Sequence, residues 1–276
     1  SNLPVFSSKQ GTLNPITATI AVSPTYNGCP GIASNFSITV NPTPSVSVGS
    51  NQNFCAGVSV PASNFSSNQA SASFAWTNSN ISIGLAGSGN GNTPAFAASN
   101  SGTSPISGNL SVTASYNGCT SAAATYSITV NPIPQLLTPS NQVLCAGVSS
   151  AAIAFSSSTA GTSFSWTNST ASIGLAASGT GNIASFTSVN NTVNPIVSTL
   201  TAVPSFQGCV GAGSSFSITV NPIPVQAQPT SQNICEGTGV LPTVFSSNVS
   251  GTTYNWTNTT TSIGLAASGS GDIPSF

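Results

Sequence analysis

The chain has 276 residues, one cation (Lys9) and two anions (Glu236 and Asp272), so its net charge is −1 and charged residues are 1% of it. It has no His, Arg or Met, which excludes His-based acid–base chemistry and metal ligation, guanidinium clamps on phosphate, and a basic footprint for nucleic acid. With 38% apolar residues it can build ordinary cores, and no stretch nears the ~18 consecutive apolar residues of a membrane helix.

Along the chain the first signal is period two. Ile16, Ala18, Ile20 and Val22 alternate with polar or small residues, as do Phe36, Ile38 and Val40, which reads as two strands with one wet face. Asn27-Gly28 between them is a hairpin signal. Asn41-Pro42-Thr43-Pro44 then ends the strand, because proline cannot donate to a ladder and fixes φ. Cys55-Ala56-Gly57 follows a short strand, and Phe74-x-Trp76 puts two aromatics on one face of the next. The run Gly87-Ser88-Gly89-Asn90-Gly91 lacks the following helix that a phosphate-cradling loop requires, so a turn is expected there.

From here the signals recur. Cys29, Cys119 and Cys209 are 90 apart, as are Cys55, Cys145 and Cys235, and Trp76, Trp166 and Trp256. Ser-Ile-Gly-Leu-Ala begins at Ser82, Ser172 and Ser262, and Ile-Thr-Val-Asn-Pro-x-Pro at Ile38, Ile128 and Ile218. Taking Asn-Pro-x-Pro as the boundary gives the C-terminal half of a repeat over 1–43, complete repeats over 44–133 and 134–223, and the N-terminal part of a repeat over 224–276. About seven short strands per period with one central Trp read as an all-β array of immunoglobulin-like sandwiches. The short, stiff joints favour an extended rod, with each repeat expected to occupy about 35–45 Å. In such a sandwich Trp76, Trp166 and Trp256 are core pins rather than sugar-stacking platforms, with Phe74, Phe96, Tyr116 and Tyr126 packed nearby in the second repeat.

The ends share one phase: residues 1–6 match residues 271–276 at an offset of 270. The chain therefore reads as the interior of a longer array, with the other reading being that neighbouring chains complete each other's half-sandwiches. Two acidic residues are too few for a Ca²⁺ cage, so no metal or cofactor is expected, and nothing resembles a paired acid and base, so no enzyme. The sequons at Asn80, Asn168 and Asn258 are read as Asn/Ser/Thr-rich composition rather than glycan acceptors.

Cys-x-Gly, Trp-Thr-Asn, Ser-Ile-Gly-Leu-Ala-x-Ser-Gly-x-Gly, Asn-Gly-Cys and Ile-Thr-Val-Asn-Pro-x-Pro, repeating in this order, resemble the PKD-like, Ig-like repeats of very long secreted proteins of Bacteroidota. The resemblance implies a cell-surface adhesin or fibre of the gliding-motility-associated kind, exported by type IX secretion. It places the chain outside the cell, as a structural repeat segment with filament assembly as an extension. Its partners would be further copies of the same repeat, on the same or neighbouring chains, with surface glycans as a further candidate and no nucleic acid or membrane insertion in this segment. The alternative is a carbohydrate-binding or spacer module within a larger secreted hydrolase.

In that setting Cys29, Cys55, Cys119, Cys145, Cys209 and Cys235 are disulfide candidates. In a sandwich Cys55 and Cys119 fall at opposite ends of strands that span roughly 26 Å, well over the ~7 Å a disulfide bridges. End-to-end stacking would instead pair Cys55 with Cys209, with the intradomain Cys55–Cys119 link as the runner-up.

Overall fold

A computed structural model of the chain describes residues 3–276. It divides into two compact units. One runs up to Ile133 and includes the segment Phe206–Cys209; the other comprises Pro134–Ser205 and Val210–Phe276.

In the first unit a main sheet is built on the long strand Ile106–Tyr116. On one side it pairs antiparallel with Ala124–Asn131, whose outer edge takes Gln52–Cys55 in parallel. On the other side lies Ser73–Asn78, and beyond it Ser88–Asn90. A second, smaller layer is formed by Ser59–Val60 with Phe96–Ala97. Alternation decides which side chains enter the space between the layers: Leu110, Val112 and Ala114 point inward from one strand, and Tyr126, Ile128 and Val130 from its neighbour, all buried. Outward positions carry hydroxyls, which pair across the strands, as Ser107 does with Thr129 (Oγ to Oγ1, 2.8 Å). Phe74 and Phe96 pack against this core, whereas Tyr116, expected beside them, sits half-buried at the strand's end and outside the cluster.

The second unit repeats the plan with Gln142–Cys145, Ser214–Asn221, Ile196–Phe206, Ser163–Asn168 and Ser178–Thr180 in that spatial order. Its core contains Phe155, Trp166, Ile173, Leu200, Phe216 and Ile218. This all-β, two-layer arrangement at a 90-residue period, with first and last strands parallel and a buried Trp, is an immunoglobulin-like sandwich. The flanking segments are sparser. Among the described residues Ile16–Val22 pairs only with Ser34–Val40, and Asn255–Thr257 only with Ser268–Ser270.

The hairpins explain the Asn-Gly signal. Asn27, Asn117 and Gln207 all have φ of +46°, each followed by a glycine at +81 to +82°, the two left-handed residues that a type I′ turn requires. The run 87–91, expected as a turn, is instead a short strand over Ser88–Asn90, and the chain turns only at Gly91 (φ +73°).

Candidate functional site

Two features recur at a 90-residue phase along the chain. One is the cysteine pair; the other is a cradle around the Trp.

Cys55 ends its strand beside Asn131, and the amide of Ala56 donates to the Asn131 carbonyl at 2.9 Å. The chain then reverses at Gly57, whose φ of +83° explains the glycine in Cys-x-Gly. Cys55 is bonded to Cys209, with the Cα atoms 5.5 Å apart, and Cys209 is buried. The bond thus joins the first strand of one repeat to the last hairpin of the next in sequence, and it closes a separation of 154 residues. The other four cysteines are thiols: Cys29, Cys145 and Cys235 exposed, Cys119 half-buried. Cys119 nevertheless has a defined seat. Its Sγ lies 3.8 Å from the carbonyl of Asn41, whose side-chain Nδ2 donates to the Asn117 carbonyl at 3.0 Å. A last hairpin is therefore docked on the Asn-Pro-x-Pro joint before it.

The cradle begins with Trp166, which is 7% exposed, as its counterpart Trp76 is 4%. Neither indole N–H has a hydrogen-bond partner among the described residues, so shape alone holds the rings. That shape depends on Gly179: a Cβ built there would lie 2.3 Å from Trp166 Cζ2, and a Cβ built at Gly89 would lie equally close to Trp76 Cζ2. The Asn of Trp-Thr-Asn then closes the following loop. Asn168 Nδ2 donates to the carbonyls of Leu175 (3.0 Å) and Ala176 (3.1 Å), while its Oδ1 accepts from the amide of Thr170 at 3.2 Å and from Ser198 Oγ. Asn78 and Asn258 do the same toward Leu85 and Leu265. The sequon side chains at Asn168 and Asn258 are thus engaged in the loop, and Asn80 caps the amide of Ser82 at 3.0 Å. Trp256, expected in the core with the other two, is half-buried, because its strand has a partner on one side only.

Asp272 accepts from the Phe245 amide at 2.8 Å, the place Asn182 takes toward Phe155 and Asn92 toward Phe65. Lys9 and Glu236 are exposed, and among the described residues no three His, Cys, Asp or Glu side chains come together. Sequence reading missed the Gly179 contact and the Asn168 plug, although both recur in phase within Ser-Gly-x-Gly and Trp-Thr-Asn.

No protein-family profile and no curated protein matches the sequence. Among solved structures, the chain is similar to mouse cadherin-23 EC22-24, at 13% identity and TM-score 0.41 over 79% of this chain and 83% of that one. It is also similar to Dpr2 Ig1-Ig2 in complex with DIP-Theta Ig1-Ig3, at 10% identity and TM-score 0.39 over 78% and 79%. A third similar structure is the protocadherin gammaB4 extracellular domain, at 12% identity and TM-score 0.38, over 94% of this chain and 49% of that one. The sandwich itself is defined by its strand order and its buried tryptophans. Among the described residues no helix is long and apolar enough to cross a membrane.

Proposed function

We propose that the chain is a non-enzymatic structural segment of an extracellular bacterial surface fibre or adhesin stalk, made of repeats at 1–43, 44–133, 134–223 and 224–276. The observation that carries this reading is the Cys55–Cys209 bond between consecutive repeats of unvarying length. A linkage of this kind suits a load-bearing array and serves no visible catalytic purpose. Near-zero charge leaves a surface with little long-range electrostatic steering, in keeping with an inert fibre. The buried faces of Trp76 and Trp166 argue against sugar stacking on them.

Small-angle scattering of the oxidised chain tests the proposal. A rod whose length corresponds to about 35–45 Å per repeat is expected. A compact particle, or tight binding of a polysaccharide lost on reduction of exposed aromatic surface, would favour the spacer or carbohydrate-binding reading instead.

A further inference from the structure

The Cys55–Cys209 bond decides which residues tension can reach. Between these two positions force has two covalent routes: the main chain, with a sequence separation of 154, and the disulfide, which holds the Cα atoms 5.5 Å apart. Any pull that separates the two positions is met by the bond before it is met by the folded chain between them. Residues 56–208 are then a closed loop beside the loaded line.

That loop contains most of what the two complete sandwiches bury. Trp76, Leu110 and Tyr126 lie in it, as do Trp166, Ile173 and Leu200. What stays on the line is already extended: Gln52–Cys55 enters the bond as a strand, and Ser214–Asn221 follows it as one. A strand rises about 3.2–3.4 Å per residue, against about 3.3–3.6 Å for a fully stretched chain, so these two segments have little length to give. The bond also sits apart from both cores, since neither cysteine belongs to either hydrophobic cluster. Cys55 lies instead beside Asn131, where the second repeat ends. The bond can therefore open without dismantling a sandwich.

We propose that Cys55–Cys209 is a thiol-controlled load clasp. Closed, it keeps both complete sandwiches out of the line of tension and makes the stretch from 55 to 209 inextensible. Opened by a thiol reductant, it puts the two sandwiches in series, each pulled through its own ends. Their unfolding then yields roughly 500–550 Å of chain, from a separation of 154 at about 3.3–3.6 Å per residue.

The two sulfurs differ in access. Cys209 is 1% exposed and Cys55 half-buried, so an incoming thiolate meets Cys55. A bond forms from that thiolate to Cys55 Sγ, the bond between the two Sγ atoms breaks, and its electron pair leaves on Cys209. A second thiolate then displaces Cys55 from the mixed disulfide. With glutathione as the reductant, one disulfide becomes two cysteine thiols while two glutathione thiols become one glutathione disulfide.

The clasp rests on the load-bearing reading for its use but not for its connectivity, so the two can fail separately. The full chain, its disulfides first located by non-reducing peptide mapping, is held by peptide-tag handles at its two ends and stretched in optical tweezers with and without glutathione. Without glutathione, no length from residues 56–208 is expected to appear; with it, two further unfolding steps are expected, together roughly 500–550 Å. Mapping that finds Cys55 unpaired or joined to another cysteine overturns the proposal. So do both steps already present in the oxidised chain, or a reduced chain that gains no length. Cys55→Ser is expected to show both steps whether or not glutathione is present. Steps that appear in that variant only after reduction would mean that another cysteine pair bears the load, which also overturns the clasp. A compact particle in scattering would defeat the fibre reading and leave these lengths unchanged.

Discussion

Residues 142–180 and 232–270 share the Gln-x-x-Cys, Trp-Thr-Asn and Ser-Ile-Gly-Leu-Ala-Ala-Ser-Gly motifs at the same phase, yet they differ in what they achieve. Both form the short 3₁₀ turn, Ala171–Ile173 and Thr261–Ile263, ended by a glycine at φ +94° or +95°. Both use the Asn side chain to hold the following Leu carbonyl, and both set a glycine against the Trp ring. Of these two segments only the first, however, turns Gln-x-x-Cys into a strand and buries its Ile and Trp. The local shape belongs to the loop's own hydrogen bonds, whereas burial and the parallel strand wait for partners some 75 residues further on, where Gln142 meets Ile218. The repeat is thus two kinds of structure, one self-sufficient and one borrowed.

Truncation of the Trp separates the two kinds most strongly. Trp166→Ala should destabilise its sandwich by about 3–5 kcal/mol, the range for a large buried aromatic, while Trp256→Ala should cost far less. Denaturant midpoints followed by circular dichroism check this, and equal losses would mean that 224–276 is as well packed as the third repeat. Reduction of Cys55–Cys209 comes next. The chain-entropy model gives roughly 5 kcal/mol as an upper figure for a loop this long, so a lower unfolding midpoint is expected in reductant than in its absence. A Cys55→Ser variant should show the same fall and no further response to reductant.

Gly179→Ala should cost about 1–3 kcal/mol, because its Cβ would press into a ring that cannot move. The same change at Gly269 also meets its ring, at 2.2 Å, but Trp256 is half-buried and free to give way, so the loss should be smaller. The smallest effect has the opposite sign. Gln207 holds φ +46° where the other hairpins place Asn, so Gln207→Asn should stabilise by up to about 1 kcal/mol, since Asn tolerates the left-handed region better.

Much of the fold is legible in the chain itself. Alternation at Ile128 and Val130, the Asn117-Gly118 hairpin and the proline joints are local, and each maps directly onto an observed element. The glycine run 87–91 was misread because Gly89 is not there for a turn: it is there because Trp76, from the next strand, lies where its Cβ would be. Such a requirement becomes visible only once two strands are paired. The cysteine phase marks positions in the same way, but which sulfurs meet depends on where a hairpin lands on the joint before it, as Cys119 does on Asn41.

The parallel pairing of an N-terminal strand with the last strand has a mechanical meaning. In the third repeat Gln142–Cys145 runs beside Ser214–Asn221 in the same direction, so tension applied through the repeat's two ends pulls these strands past each other lengthwise. The hydrogen bonds between them are loaded together in shear rather than opened one after another, and resistance to pulling is then governed by the rate of that single rupture.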